Sequence, residues 1–239
     1  MRDREAEAPR FAIREGYALY RGLVTDGSSH AHAAFQIAIA VRGEVAMVDS
    51  AGSRHRAEAL VVPPMVRHRI LASPDLLIFF VEPHCAFADG LRERYGPGVT
   101  AAPELHGLTE DGIGGTHPSR ELDGRLLEAM DALAGGAIAM PEVAALVGLS
   151  PQRLRALARE QLGMPLARWR IWRRLVRAAE ALREGRSLAE APIAGGFADQ
   201  AHFTRQMRDM MGSTPSSVLP ILRPSAAPRD EHRDRPGDR

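Results

Sequence analysis

Lysine and asparagine are absent from the 239 residues, and all 31 basic residues are arginine. With Ala and Gly abundant, that bias reads as the mark of a GC-rich coding sequence and not as chemistry. Cysteine occurs once, at Cys85, which excludes an intramolecular disulfide framework and suits a reducing cytoplasm. No apolar run approaches the ~18 residues that span a bilayer. The charged start MRDREAEAPR lacks the apolar stretch of a secretory signal. There is no nucleophile triad, no glycine-rich phosphate loop and no Cys/His zinc spacing, which removes the enzyme classes built on them.

What is present divides in two. Residues 1–135 carry 14 Arg against 19 acidic residues, whereas residues 136–223 carry 13 Arg against 7. An acidic first part joined to a basic second part suggests two jobs, the second with a polyanion. From residue 10 to about 82 the chain reads as short apolar strands: Phe35–Val41, Glu44–Asp49, Ala57–Pro63 and Asp75–Glu82, separated by turn signals. Many short strands with close turns predict a small sandwich or barrel. Cys85–Gly96 reads as a helix, and residues 97–118, rich in Gly, Pro and Thr, as a linker. From Glu121 the period becomes helical, with Leu122, Leu126, Leu127, Met130 and Leu133 on one face. The polar tail from Pro224 reads as disordered.

The helical part holds a repeat. In AALVGLSPQRLRALAREQLG (Ala144–Gly163), Gly148 makes a tight turn, Ser150 caps the next helix and Pro151 suits its first turn. Leu154 and Leu157 face inward, and Gln152, Arg153, Arg155, Ala156 and Arg159 face out. Forty-eight residues later, GFADQAHFTR (Gly196–Arg205) repeats the plan. Ser187 and Glu190 form a capping box, Phe197 plugs the core and Asp199 caps the next helix. Phe203 and Met207 face inward; Gln200, Ala201, His202, Thr204 and Arg205 face out. Such units are helix-turn-helices whose second helix enters a major groove, where Arg reads guanine or phosphate and Gln reads adenine. Between them, Pro165–Glu184 predicts one rigid helix ~30 Å long, close to the ~34 Å of one DNA turn. Its buried side is Trp169, Ile171, Trp172, Leu175, Val176, Ala179 and Leu182. Arg168, Arg170, Arg173, Arg174 and Arg177 read as available for phosphates.

On these motifs, residues ~120–222 resemble the DNA-binding domain of the AraC/XylS transcription regulators. That resemblance implies seven helices, two helix-turn-helix units and a bipartite site on double-stranded DNA. Base and backbone contacts would come from Gln152, Arg153, Arg155, Ala156 and Arg159, and from Gln200, Ala201, His202, Thr204 and Arg205. The sequence departs from the family at Ala139 (usually a capping Ser), at Ala158 and Met207 (usually Phe), and at Ala156 (often a longer base-reading side chain). Pro192 either breaks a helix that starts after Ser187 or marks a late start.

The first part carries H-x-H-x3-Q-x6-G (His30, His32, Gln36, Gly43) and P-x4-H (Pro63, His68), which resembles the two motifs of the cupin barrel. Gln36 stands where metal-binding cupins have Glu, and Met65 where the second motif often has Gly. The same four side chains, His30, His32, Gln36 and His68, are candidates for an effector pocket or for a transition-metal site. His55, His84, His106 and His117 read as surface or loop residues. The fold class is therefore α+β in two domains: a cupin-like barrel at 10–96, a linker at 97–118, a DNA-binding domain at 119–222 and a tail at 223–239. The function expected is a cytoplasmic, non-enzymatic transcription regulator that senses a small molecule. Its other partners would be RNA polymerase and a second copy of the chain, with the helix Cys85–Tyr95 as the contact. The competing reading is a metal-dependent cupin oxygenase or isomerase fused to a DNA-binding module.

Overall fold

A computed structural model describes residues 9–114, 117–136 and 138–222, so the tail at 223–239 lies outside the described residues. Strands β1 (Arg10–Arg14), β2 (Tyr17–Val24), β3 (Phe35–Ala40), β4 (Val45–Asp49), β5 (Arg54–Ala57), β6 (Ala59–Val62), β7 (His68–Ile70) and β8 (Ser73–Val81) lead into helix α1 (Ala86–Arg94). Strand β9 (Thr100–Ala101), a 3-10 turn at Pro103–Leu105 and helix α2 (Glu110–Ile113) follow. The second domain is α3 (Gly124–Gly135), α4 (Met140–Leu146), α5 (Pro151–Leu162), α6 (Leu166–Arg183), α7 (Glu190–Ala194), α8 (Gln200–Met211) and α9 (Pro215–Leu222). These are the seven helices that the family resemblance implies, counted among the described residues. No helix among the described residues is long and apolar enough to cross a membrane.

The strands make two sheets, a six-stranded one in the order β1-β2-β8-β3-β6-β9 and a three-stranded one in the order β5-β4-β7. β3 is buried along its whole length because both faces of the large sheet are covered. Phe35, Ile37 and Ile39 on one face pack with Phe79, Val81 and the α1 residues Ala88 and Leu91. Ala38 and Ala40 on the other face pack with Leu60, Val62 and Leu76 against Val45 and Met47 of the small sheet. A closed barrel is not formed. The small sheet covers only the β3-β6 side, and the inner face of β1, β2 and β8 is left to the helices. Phe80 of β8 lies 5.9 Å from Trp172 of α6, ring centre to ring centre, so one apolar core runs through both domains.

The expected linker is structured. β9 pairs with β6 through Leu60–Ala101 and Val61–Thr100, and Ala102 and Ile113 are buried against the outer face of the large sheet. The Gly and Pro content that suggests a linker here sets tight turns around buried anchors instead. Sequence alone also does not resolve β1, β2, β5 and β7 as separate strands, since β5 (RHRA) and β7 (HRI) carry little apolar signal.

Candidate DNA-reading surface and interdomain cavity

The two helix-turn-helix units are built as their sequences imply. Ser150 accepts from Arg153 N at 3.2 Å and Asp199 from His202 N at 2.6 Å, each capping its reading helix. The turns at Gly148 and Gly196 both hold positive φ, 67° and 84°. Leu154, Leu157 and Ala158 of α5, and Phe203, Met207 and Met210 of α8, are buried. Gln152, Arg153, Arg155, Ala156 and Arg159 are exposed together on α5, and Gln200, Ala201 and Arg205 on α8. His202 departs from that face: it is half-buried with its ring edge on Phe197, 5.4 Å away, and braces the turn. Thr204 is half-buried and donates its hydroxyl to Gln200 O at 2.8 Å. Arg208, not singled out in the sequence, joins Gln200, Ala201, Thr204 and Arg205 around one shallow surface depression. Its spacing, one turn beyond Thr204, was the available signal.

Pro192 is accommodated near the start of α7. α7 is regular from Glu190, with Pro192 at its third position; the turn before it closes through Ala191 N to Ser187 O at 3.0 Å, so the cost is the one backbone bond that Pro192 cannot donate. The capping box forms: Glu190 Oε2 accepts from Ser187 N at 2.9 Å, and Glu190 N donates to Ser187 Oγ at 3.2 Å. Ala139 offers no side-chain cap, and only the reverse bond remains, Ala139 N to Glu142 Oε2 at 3.1 Å.

The arginines of α6 correct an expectation. Arg170 donates to Ile138 O at 2.7 Å, and Arg177 to Ala134 O at 2.6 Å and Gly195 O at 3.2 Å. Arg173 pairs with the buried Glu82 at 2.6 Å, and Arg168 with Asp209 at 2.6 Å. These four tie α6 to its neighbours and to the first domain and are not free for phosphates, whereas Arg174, half-buried, makes no such bond among the described residues. The guanidinium forks satisfy backbone carbonyls at the ends of α3 and α7, which sequence spacing cannot reveal. Trp169 and Trp172 are core residues. Trp172 Nε1 donates to Glu82 Oε1 at 2.9 Å, and the Arg173 guanidinium lies 5.7 Å from the centre of the Trp169 ring. His84, expected at the surface or in a loop, lies in the turn after β8 but is drawn in, 5.2 Å from Trp169, and burial lowers its pKa.

The end of α8 is docked onto the loop before β3. Ala31 N donates to Asp209 O at 3.2 Å, and Ser28 N and Oγ donate to Gly212 O at 3.3 and 3.0 Å. Carbonyls left open at a helix C-terminus are thus satisfied by the other domain. Gly212 has φ 66°, and a Cβ there would sit 2.6 Å from His30 Nδ1 and 2.7 Å from Ser28 O.

The four cupin-motif side chains do come together. His30, His32 and His68 are buried, with ring centres 4.5 to 5.8 Å apart. Nδ1 of each faces a carbonyl: Ser28 at 2.9 Å, Ala34 at 2.7 Å and Val66 at 3.0 Å. Each Nδ1 must therefore donate, leaving Nε2 as an acceptor. The Gln36 amide lies 2.9 Å from His32 Nε2 and 2.7 Å from His68 Nε2 through its Oε1 position. Three acceptors cannot bond one another, so a half-turn of the amide, which places NH2 there, satisfies both rings. With Oε1 kept inward, the same atoms are a donor set of three imidazoles and one neutral amide that fits a transition metal. Burial, reinforced by the neighbouring imidazoles, drives His32 down to about 4 and His68 to about 2; burial, with the Arg67 charge, also lowers His30. All three rings are neutral at pH 7. Cys85 is buried, its thiol pKa raised mainly by that burial, so it is a poor nucleophile.

A cavity of about 470 Å³ lies where the small sheet stops, between the large sheet and α6, α8 and α9. Phe11, Ile78 and Phe80 line one side, and Trp172, Val176 and Met207 the other. His30 and Gln36 reach this cavity, whereas His32 and His68 stand behind them and do not line it. The sequence reading expects an effector in the cupin barrel at His30, His32, Gln36 and His68; the cavity lies at the domain boundary and shares His30 and Gln36 with that set.

Two docked domains, one with paired reading helices, define a DNA-binding regulator. Residues 143–219 match the family model of a helix-turn-helix domain, and the chain carries an AraC-type DNA-binding domain there. Among solved structures, ToxT from Vibrio cholerae O395 is 10% identical with a TM-score of 0.55, over 87% of this chain and 99% of that one. Unsaturated fatty acid-bound ToxT from strain SCE256 is 12% identical with a TM-score of 0.57, over 90% and 99%. A transcriptional regulator from Chromobacterium violaceum is 25% identical over 44% of this chain and 94% of its own, with a TM-score of 0.39. At these identities the likeness to ToxT describes the two-domain fold. No curated protein matches the chain.

Proposed function

We propose that this regulator is switched by a small molecule held in the interdomain cavity. The observation that carries the reading is the shared wall: one face of the cavity is sensor sheet, and the other is α6, α8 and α9 of the DNA-binding domain. A ligand there contacts both domains at once, so it favours one placement of the reading helices over another, as a switch requires. The fatty acid bound to ToxT, a protein of the same fold, supports an apolar effector. Gln152, Arg153, Arg155, Ala156 and Arg159 serve one major groove, and Gln200, Ala201, Thr204, Arg205 and Arg208 the next, with His202 holding the second turn. α6, 18 residues and ~27 Å long, links the two units. The protein works in the cytoplasm as a non-enzymatic regulator, with RNA polymerase as partner. It pairs with a second copy through the outer face of α1, where Gly90, Glu93 and Arg94 are exposed. The first domain is a cupin-like barrel left open on one side, covering 10–96, with 119–222 as the DNA-binding domain.

The test is a footprint on DNA upstream of the protein's own gene at physiological salt. Two protected patches about one helical turn apart support paired groove entry. A single patch removes one unit from the model of recognition. The buried imidazole cluster supports a second reading, a cupin enzyme, through its donor set. A stoichiometric transition metal in the purified protein, together with no DNA protection, would favour that reading.

A further inference from the structure

We propose that the interdomain cavity selects an uncharged amphiphile, an apolar body with a hydroxyl head, and discriminates against a carboxylate. The inference rests on the switch reading above and names the ligand class for that same site. The walls are aliphatic and aromatic, from Phe11 and Ile78 to Trp172 and Val176. Among the described residues no arginine lines the cavity, and the chain has no lysine. On α6, the helix that forms one wall, three arginines cannot swing in without breaking their bonds, since Arg168 holds Asp209, Arg173 holds Glu82, and Arg177 holds Ala134 O and Gly195 O; Arg170 and Arg174 do not line the cavity either. The one carboxylate that lines the cavity, Asp26, is exposed and accepts from Ala72 N at 2.7 Å. An anionic ligand would meet that like charge and no counter-ion, and burying an unpaired charge is costly.

A neutral polar head does find a partner. Gln36 lines the cavity, and one end of its amide is taken by His32 and His68. The other end has no hydrogen-bond partner among the described residues. With the amide NH2 turned to the two imidazoles, this end is Oε1, and a hydroxyl on the ligand can donate to it. The hydroxyls of Ser213, Thr214 and Ser217 offer further neutral contacts.

The experiment titrates the full-length protein with decanol, decanoate and decylamine at neutral pH, by calorimetry and thermal shift. Decanol is expected to bind at least about tenfold more tightly than decanoate and to raise the melting temperature. Equal or tighter binding of decanoate overturns the proposal. Tightest binding of decylamine overturns it too and makes Asp26 the selector. Binding by none of the three refutes the cavity as an amphiphile site. Leu23, 61% exposed and lining the cavity, allows a second variant that leaves the core intact. Leu23→Arg is expected to raise decanoate affinity several-fold and leave decanol unchanged; no change places the ligand elsewhere. DNA footprinting of the same preparation keeps the two readings apart. A protein that protects DNA yet prefers decanoate loses only the ligand class, whereas one that protects no DNA loses the regulator reading.

Discussion

The helix-end glycines Gly163 and Gly212 are a matched pair that isolates the docking of the domains. Each follows a reading helix, in the left-handed conformation, at φ 68° and 66°. A Cβ at Gly163 would meet nothing within 4 Å, whereas at Gly212 it would meet His30 Nδ1 at 2.6 Å and Ser28 O at 2.7 Å. Gly163→Ala therefore reports only the left-handed strain, about 1–2 kcal/mol. Gly212→Ala adds an overpacking term of about 1–3 kcal/mol, because one obstacle is backbone and the other is a ring held by its own hydrogen bond to Ser28. At roughly 2–4 °C per kcal/mol for a chain of this size, Gly212→Ala should melt several degrees below Gly163→Ala. The alternative relief is separation of α8 from the 28–31 loop, which would lower the effector response with DNA binding retained. Paired thermal melts and footprints with and without ligand check both. Equal melting of the two variants, with an unchanged effector response, would refute the claim that α8 is docked through Gly212.

Three further outcomes follow from the same geometry. Arg205→Ala should weaken specific DNA binding by about 1–3 kcal/mol and relax one base preference, whereas Arg173→Ala should lower the melting temperature without changing the salt slope of DNA binding; a reduced slope would return Arg173 to the phosphates. Gln36→Glu should create a first-row divalent site by supplying an anionic fourth ligand, detectable by calorimetry; wild-type protein binding the same metal as tightly would show that the amide is no barrier. The buried histidines bind protons less readily folded than unfolded, so their contribution is fully present above about 6.5 and is lost as pH falls towards about 4, the folded value of His32. Thermal melts across that range should decline, and a variant His32→Gln should flatten the slope; an unchanged slope would remove His32 as its source.

Legibility from sequence differed by part. The second domain was readable because its signals are local: capping residues, glycine stops and a 3.6-residue period act within one or two turns, and each appears where Ser150, Asp199 and Gly196 place it. The cupin motif was readable as a set of residues, since His30, His32, Gln36 and His68 do converge. Their protonation and hydrogen bonds were not, because these depend on the carbonyls of Ser28, Ala34 and Val66. The arginines of α6 misled for a related reason. An arginine on a helix looks the same in sequence whether it faces phosphate, a buried Glu82 or a carbonyl of the next helix.

The sequence by itself determined the two-part architecture, the paired reading helices and most of their exposed faces, because periodicity and capping are properties of contiguous residues. Only the tertiary structure decided that a cavity lies between the two domains. A six-stranded sheet half covered by a three-stranded one leaves apolar surface that something must bury. α6, α8 and α9 bury it incompletely, and the gap they leave joins the sensing domain to the DNA-reading one.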